Sequence, residues 1–198
     1  MVSALFYCLF AAIVLVPLIP RLAGSPFVGG MAAAARHLVQ AAFWLAAGTA
    51  LLIAMAQMAA LVTRNIFGIN FIWLQESALY LFGAMFLLSS GAILIADGHV
   101  RVDVFYSQWT ERRQRFVNLV GLYLFVFPVA ALVINASLPY VLTSWQTLEG
   151  SPEPNGIQAV FLLKSLIPIF GFLLACGAFV RVNDLLSAAS MSGTASHG

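Results

Sequence analysis

The stretch WLQESALYLFGAMFLLSSGAILIA, Trp73–Ala96, decides the fold class of this chain. It is apolar almost throughout and carries one charged side chain, Glu76, near its start. An apolar segment of about 20 residues is long enough to cross the hydrocarbon core of a bilayer as an α-helix. The whole chain shares this character, since 62% of its residues are hydrophobic and 8% are charged, whereas about 25% of the residues in soluble domains are charged. We therefore predict an all-α integral membrane protein.

Three similar runs lie on either side of that stretch and complete a predicted core of four transmembrane helices. They are Leu38–Val62, Val117 to about Trp145, and Gln158–Val182. Pro128 and Pro139 are expected to kink the run that contains them. In the first run, small residues recur at every fourth position and form one stripe that lets another helix backbone approach closely. These residues are Ala42, Ala46, Ala50 and Ala54.

A fifth apolar run, Val2–Pro20, has about the minimum spanning length. No basic region precedes it, although a cleaved signal peptide normally has one. We therefore expect an extra N-terminal transmembrane helix over residues 1–21, with a cleaved signal as the alternative. The remaining divisions are a cytoplasmic linker over 22–37, a four-helix domain over 38–186 and a flexible tail over 187–198.

The most charged part of the chain is ADGHVRVDVFYSQWTERRQRF, Ala96–Phe116. Its apolar residues fall on one helical face, which predicts an interfacial amphipathic helix over about 100–116 with Trp109 at headgroup depth. The arginines would then meet anionic membrane lipid. A solvated loop is an equally good interpretation, and the alternating HVRVDV segment is compatible with a strand. Nucleic-acid binding is disfavoured because acids are mixed in and the net charge is only +2.

The distribution of cations predicts the orientation, because cytoplasmic loops are enriched in arginine and lysine. An alternating path places most of the arginines on one side, which is then the cytoplasm and also receives the C-terminus. These arginines are Arg21, Arg36, Arg101, Arg112, Arg113, Arg115 and Arg181. The outer side receives Arg64 and the acidic loop that carries Glu149 and Glu153.

Three charged residues, Arg64, Glu76 and Lys164, lie near the outer ends of the predicted helices. Because an isolated charge in a membrane is costly, we expect Glu76 to pair with Arg64 or Lys164 and to lock helices together. A proton or ion relay is the functional alternative to a structural pair. No charged residue lies deep in any run, whereas transport pathways commonly carry charges or broken helices at the midplane.

Cofactor and catalytic chemistry find no support in the sequence. His37 and His99 lie at helix ends, so haem ligation within the membrane is disfavoured. Cys8 and Cys176 lie in separate apolar runs without metal-ligand spacing. We therefore predict no metal, no cofactor and no catalytic residue, and the chain is not expected to be an enzyme.

Five segments carry a resemblance to a known family. They are RNIFG at the end of one helix, WLQES at the start of the next, GHVRVDVFY, EGSPEPNG, and LLKSLIPIFG at the start of the last helix. In this order and spacing, the chain from about Arg36 to Leu186 resembles the small membrane subunit, or Q subunit, of tripartite ATP-independent periplasmic (TRAP) transporters. The pattern is most similar to the branch that is linked with hydrophobic or carboxylate-bearing organic acids.

The resemblance implies a multi-pass subunit of the bacterial inner membrane with four core helices and both of their ends in the cytoplasm. It implies a large membrane subunit with the solute and sodium sites, a periplasmic substrate-binding protein that delivers the solute, and a static scaffold role for this chain. The residues that it suggests for helix locking, interface anchoring and partner contact are Arg64, Trp73, Glu76, Gly98, His99, Arg101, Asp103 and Lys164. A self-sufficient small carrier and a non-haem membrane anchor of an enzyme complex are the alternatives, and the transported solute is not evident from this chain.

Overall fold

The computed structural model describes residues 26–96 and 108–194, except for the side chains of residues 189–194. Within these ranges, five α-helices and one π-helical turn follow each other. They are α1 (Pro26–Ile66), α2 (Ile72–Ile95), α3 (Glu111–Gly121), the π-turn (Leu122–Val126), α4 (Phe127–Gln146) and α5 (Val160–Thr194). Because the π-turn joins α3 to α4 without a break, the described residues form four helices that are long and apolar enough to cross a membrane. The predicted all-helical core of four spans is confirmed.

Helix α5 is the central element of the bundle. Every residue from Ala175 to Val180 is buried, which means that other helices cover α5 on all sides at this level. Helices α1, α2 and α4 all pack against it, and α1 and α2 also pack against each other. A helix that is apolar all round is suited to such a position because it has no polar face to hydrate.

A close helix crossing joins α2 to α5 at Gly91 and Gly177. A Cβ atom added to Gly177 would lie 2.6 Å from the carbonyl oxygen of Gly91, and one added to Gly91 would lie 2.5 Å from the carbonyl oxygen of Leu173. Glycine at both positions therefore lets the two backbones touch. Membrane helices use small residues in this way, because close packing rather than hydrophobic burial holds them together in lipid.

The alanine stripe of α1 packs within the chain only in part. Ala46 is buried and Ala42 is half-buried, but Ala50 and Ala54 are exposed. The later half of α1 also exposes large apolar side chains, of which Leu51 is 68% accessible. This half of α1 therefore presents an apolar surface to its surroundings.

Helix α1 begins earlier than the apolar pattern predicted. The expected linker over 22–37 contains Gly29 and Gly30, but the structure continues the helix back to Pro26. Proline suits the first turn of a helix because its missing N–H has no partner there anyway. Burial of Val28 and Ala32 in the core offsets the cost of the two glycines, about 1 kcal/mol each.

Two other boundaries also differ from the sequence analysis. Helix α5 continues through Thr194, although a flexible tail was expected from residue 187. Residues 111–116, expected at the end of a separate interfacial helix, form the first turns of α3, which runs on into a span. The expected N-terminal helix, Val2–Pro20, and residues 100–107 lie outside the described residues.

The π-turn lies directly before Pro128, one of the two expected kink sites. Proline has no N–H to donate, and its ring pushes against the carbonyl four residues earlier, which here belongs to Leu124. A wider turn provides the space that this contact needs, and π-turns are a recognised cause of helix irregularity. Pro139 lies inside α4.

Candidate functional site

The carboxylate of Glu76 holds the loop that joins α4 to α5. Glu76 lies in the second turn of α2, and its Oε2 accepts a hydrogen bond of 2.6 Å from the backbone N–H of Ile157. Its Oε1 accepts a second bond from the hydroxyl of Ser151. Tyr80, one turn further along α2, donates its hydroxyl to the carbonyl of Ile157 at 3.4 Å. The start of α2 is therefore tied to loop 147–159 through a charged acceptor, which makes hydrogen bonds stronger than a neutral acceptor does.

The backbone of this loop is shaped for that contact. Asn155 has a φ of 65° and Leu148 a φ of 45°, both in the left-handed region. A Cβ atom at Gly156 would collide with the side chain of Ser151 and would lie 2.8 Å from Oε2 of Glu76. The loop can therefore approach the carboxylate only because residue 156 has no side chain.

A second contact group surrounds Lys164 in the first turns of α5. Its ammonium forms an ion pair with Glu149 and lies 3.9 Å from the centre of the Tyr140 ring. The Lys164 side chain is only 13% exposed. The hydrogen bond from Lys164 lowers the pKa of the Glu149 carboxyl below its ordinary value of 4.5. Helices α4 and α5 and the loop between them are thus joined by one cation through an ion pair and a cation–π contact.

These partners differ from the expected pairing of Glu76 with Arg64 or Lys164. Among the described residues, no ion pair joins Glu76 to either cation. Glu149 lies near the start of the loop 147–159, and Lys164 lies in the first turns of the helix that follows this loop. The loop therefore brings the two side chains within reach of each other. Glu76 receives neutral donors from the same loop instead. The expectation that Glu76 and Lys164 tie helix ends together stays a proposal, with corrected partners.

Arg64 and Trp73 lie at the connection between α1 and α2. Arg64 is in the last turn of α1 and is exposed. Trp73 is 49% exposed, and its ring lies 6.1 Å from that of Phe71. Exposed aromatic rings at a helix end suit the water–lipid interface. The other four residues that the sequence suggested, Gly98, His99, Arg101 and Asp103, lie outside the described part of the chain.

One ion pair was missed by the sequence analysis and lies at the opposite end of the bundle. A guanidinium nitrogen of Arg36 on α1 donates to both carboxylate oxygens of Asp184 on α5, each at 2.8 Å. Both side chains are 39% exposed. The sequence did contain a signal for this pair. Arg36 lies just before one apolar run and Asp184 lies just after another, and an alternating path through the membrane places these two ends on the same side.

A comparison with known protein families identifies the family of this chain. The model of the DctQ component of tripartite ATP-independent periplasmic transporters matches residues 52–188. The chain belongs to the DctQ family. No curated protein and no solved structure matches it significantly.

The DctQ match covers the residues that hold the loop end of the bundle. Glu76, Glu149 and Lys164 all lie within it, as does the glycine crossing of α2 and α5. Arg36 lies before the matched residues. The resemblance to a TRAP transporter small subunit is therefore confirmed, and this DctQ protein is a component of a transport system rather than of an enzyme family.

The described side chains of this DctQ protein are suited to holding helices together. In residues 26–96 and 108–194, no group of three His, Cys, Asp or Glu side chains could hold a metal ion. The charged residues gather at the two ends of the bundle, with Glu76 and Lys164 at one end and Arg36 and Asp184 at the other. Each of these two groups joins different helices, so their chemistry is that of cross-links between helix ends.

Proposed function

We propose that this DctQ protein is a static scaffold for the large membrane subunit of a TRAP transporter. In this proposal the large subunit holds the solute and sodium sites, and a periplasmic binding protein delivers an organic acid. The family match supports membership of such a transporter. The scaffold role rests on the features of this chain.

The observation that carries the proposal is the absence of charge between the ends of the spans. The sequence has no acidic or basic residue in 38–63, 77–96, 116–148 or 165–180. An ionic solute that crossed through this chain alone would lose its hydration without a compensating charge, at a cost of at least several kcal/mol. Such an interior suits a subunit that supports a pathway elsewhere.

The packing of the bundle supports a rigid role. The glycine contact between α2 and α5 leaves no space even for a methyl group, because a Cβ atom at either glycine would collide with the backbone of the other helix. At one end Arg36 and Asp184 tie α1 to α5. At the other end Glu76 ties α2 to the loop 147–159, and Lys164 ties α5 to that loop and to Tyr140 of α4. We expect the bundle to move as one body while a mobile part of the large subunit moves against it. The exposed apolar half of α1 is a surface that the large subunit could cover.

The distribution of cations supports the proposed orientation in the inner membrane. Arg112, Arg113 and Arg115 stand at the start of α3, and Arg181 stands in the second half of α5. An alternating path through the membrane brings both segments to the same end of the bundle. Arginine-rich ends face the cytoplasm. In the proposed orientation the C-terminus lies in the cytoplasm and the loop 147–159 lies in the periplasm.

Reconstituted transport tests this proposal. Sodium-driven uptake of organic acids is measured in liposomes that contain this chain, the large subunit, or both, each with the periplasmic binding protein. We expect uptake only when all three proteins are present. Uptake by the large subunit and binding protein without this chain would refute the scaffold role, and uptake by this chain alone would show a self-sufficient carrier.

A further inference from the structure

A groove of about 580 Å³ runs along the start of α3. Five of the described residues line it, and the four that belong to α3 lie on one face of that helix. The five residues are Trp109, Arg112, Arg113, Phe116 and Val117. The groove is thus a continuous surface with two cations and three apolar side chains.

The two arginines of the groove have no ion-pair partner among the described residues. Neither Arg112 nor Arg113 takes part in an ion pair within the described part of the chain, and both are exposed. Arg115, on the same helix, differs because it lies 3.9 Å from Glu111 and does not line the groove. The groove therefore carries positive charge that no described acid balances.

The apolar side of the groove lies next to these charges. Phe116 is 67% exposed and Val117 is 42% exposed, and both stand where α3 leads into the span. Trp109 is 39% exposed and stands before the first turn of α3. Tryptophan is enriched at the level of the lipid headgroups. The order along the helix is an aromatic ring, then cations, then apolar side chains, which follows the order of a phospholipid from interface to acyl chain.

We propose that this groove binds one anionic phospholipid. The guanidinium groups of Arg112 and Arg113 hold its phosphate, for which the planar donor fork of arginine is well matched. Phe116 and Val117 contact the glycerol and the first part of an acyl chain, and Trp109 packs beside the headgroup, on the water side of the phosphate. The occupant follows from the charge and from the entry of α3 into the membrane. The proposal depends on the membrane placement of the chain and is independent of its scaffold role.

Fluorescence quenching by brominated lipids tests the proposal on the full chain in vesicles. Phosphatidylcholine vesicles contain a small fraction of brominated phosphatidylglycerol or, for comparison, the same fraction of brominated phosphatidylcholine. Each measurement is repeated with Trp109→Phe, and the difference gives the quenching of Trp109 alone. Two arginines near the surface predict an about 30-fold preference for the anionic lipid, which corresponds to about 2 kcal/mol.

Substitution of the arginines separates a bound lipid from a general attraction to the surface. Arg112→Gln or Arg113→Gln is expected to lower the preference about fivefold. Arg115→Gln is the matched control, because it removes the same charge from the same helix outside the groove, and it should change the preference less than twofold. Circular dichroism confirms that each variant is folded.

Each result decides the proposal. Equal quenching by both lipids would refute it, and this comparison needs only the unchanged chain and Trp109→Phe. Loss of the preference in Arg115→Gln to the same extent as in Arg112→Gln would show diffuse attraction instead of a site. No quenching of Trp109 by either lipid would show that protein covers this face.

Discussion

The glycine crossing of α2 and α5 leads to a quantitative prediction for Gly177→Ala. The new methyl carbon would lie 2.6 Å from the carbonyl oxygen of Gly91 and 3.0 Å from its Cα. Ordinary van der Waals contacts begin at 3.4 Å, so the two helices must separate by about 0.8 Å. This separation weakens the van der Waals attraction between α2 and α5 along the whole crossing. Because both atoms of Gly91 belong to the backbone, no side-chain rotation can relieve the collision.

The expected cost follows from two opposing effects. Overpacking of a tight core destabilises by about 1–3 kcal/mol, whereas alanine is a better helix former than glycine by about 1 kcal/mol. We therefore expect Gly177→Ala to lower the free energy of unfolding by up to about 2 kcal/mol. Gly48→Ala is the matched control, because Gly48 is also helical and a Cβ there meets nothing within 4 Å. It should be neutral or slightly stabilising.

Unfolding of the purified full chain in mixed micelles measures both variants. A denaturing detergent is added in steps, and the loss of helix is followed by circular dichroism until the transition is complete. If Gly177→Ala proves as stable as Gly48→Ala, α2 and α5 do not touch as closely as described. The inferred rigidity of the bundle would then lose its main support.

Three further predictions concern the contacts at the two ends of the bundle. Glu76→Gln weakens two charge-assisted hydrogen bonds, so the amides of loop 147–159 should exchange hydrogen about tenfold faster; unchanged exchange would contradict the anchoring role. The pKa of Glu149 lies below 4.5, so its ion pair with Lys164 stabilises the fold above pH 4.5 and is lost as the pH falls through the lowered pKa. Thermal melting at several pH values should show this loss of stability. In Lys164→Met the pH dependence that comes from this pair should be absent. Arg36→Asp and Asp184→Arg should each lower stability by about 0.5–1 kcal/mol because the pair is part-exposed, and the double variant should recover most of the loss; a double variant as unstable as the sum of both would exclude the pair.

The four spans could be predicted because lipid imposes a simple pattern on the sequence. Each spanning helix must satisfy its own backbone hydrogen bonds and expose apolar side chains, so long apolar runs bounded by charges identify it. The run Trp73–Ala96 differs by only one residue at each end from α2, Ile72–Ile95. The start of α1 was missed because Gly29 and Gly30 are typical of a linker, and the burial of nearby Val28 is not visible in the sequence.

The partners of Glu76 could not be predicted because they depend on the backbone of loop 147–159. The left-handed conformation of Leu148 is unusual for its residue type, and no sequence rule indicates it. In addition, a backbone N–H that serves as the partner cannot be recognised from the type of residue to which it belongs. The sequence led us to expect a charged partner, Arg64 or Lys164, because an isolated charge in a membrane is costly. The structure instead gives Glu76 the hydroxyl of Ser151 and the backbone N–H of Ile157.

The central position of α5 has a consequence for synthesis of the protein. The ribosome makes this helix after the other four, so α4 enters the membrane before the surface against which it packs exists. Helices α1 and α2 can associate early, but the complete bundle must await the synthesis of α5. A chain that stops before residue 160 would therefore leave three inserted spans without the helix against which all of them pack. We expect membrane proteases to degrade such an incompletely assembled protein.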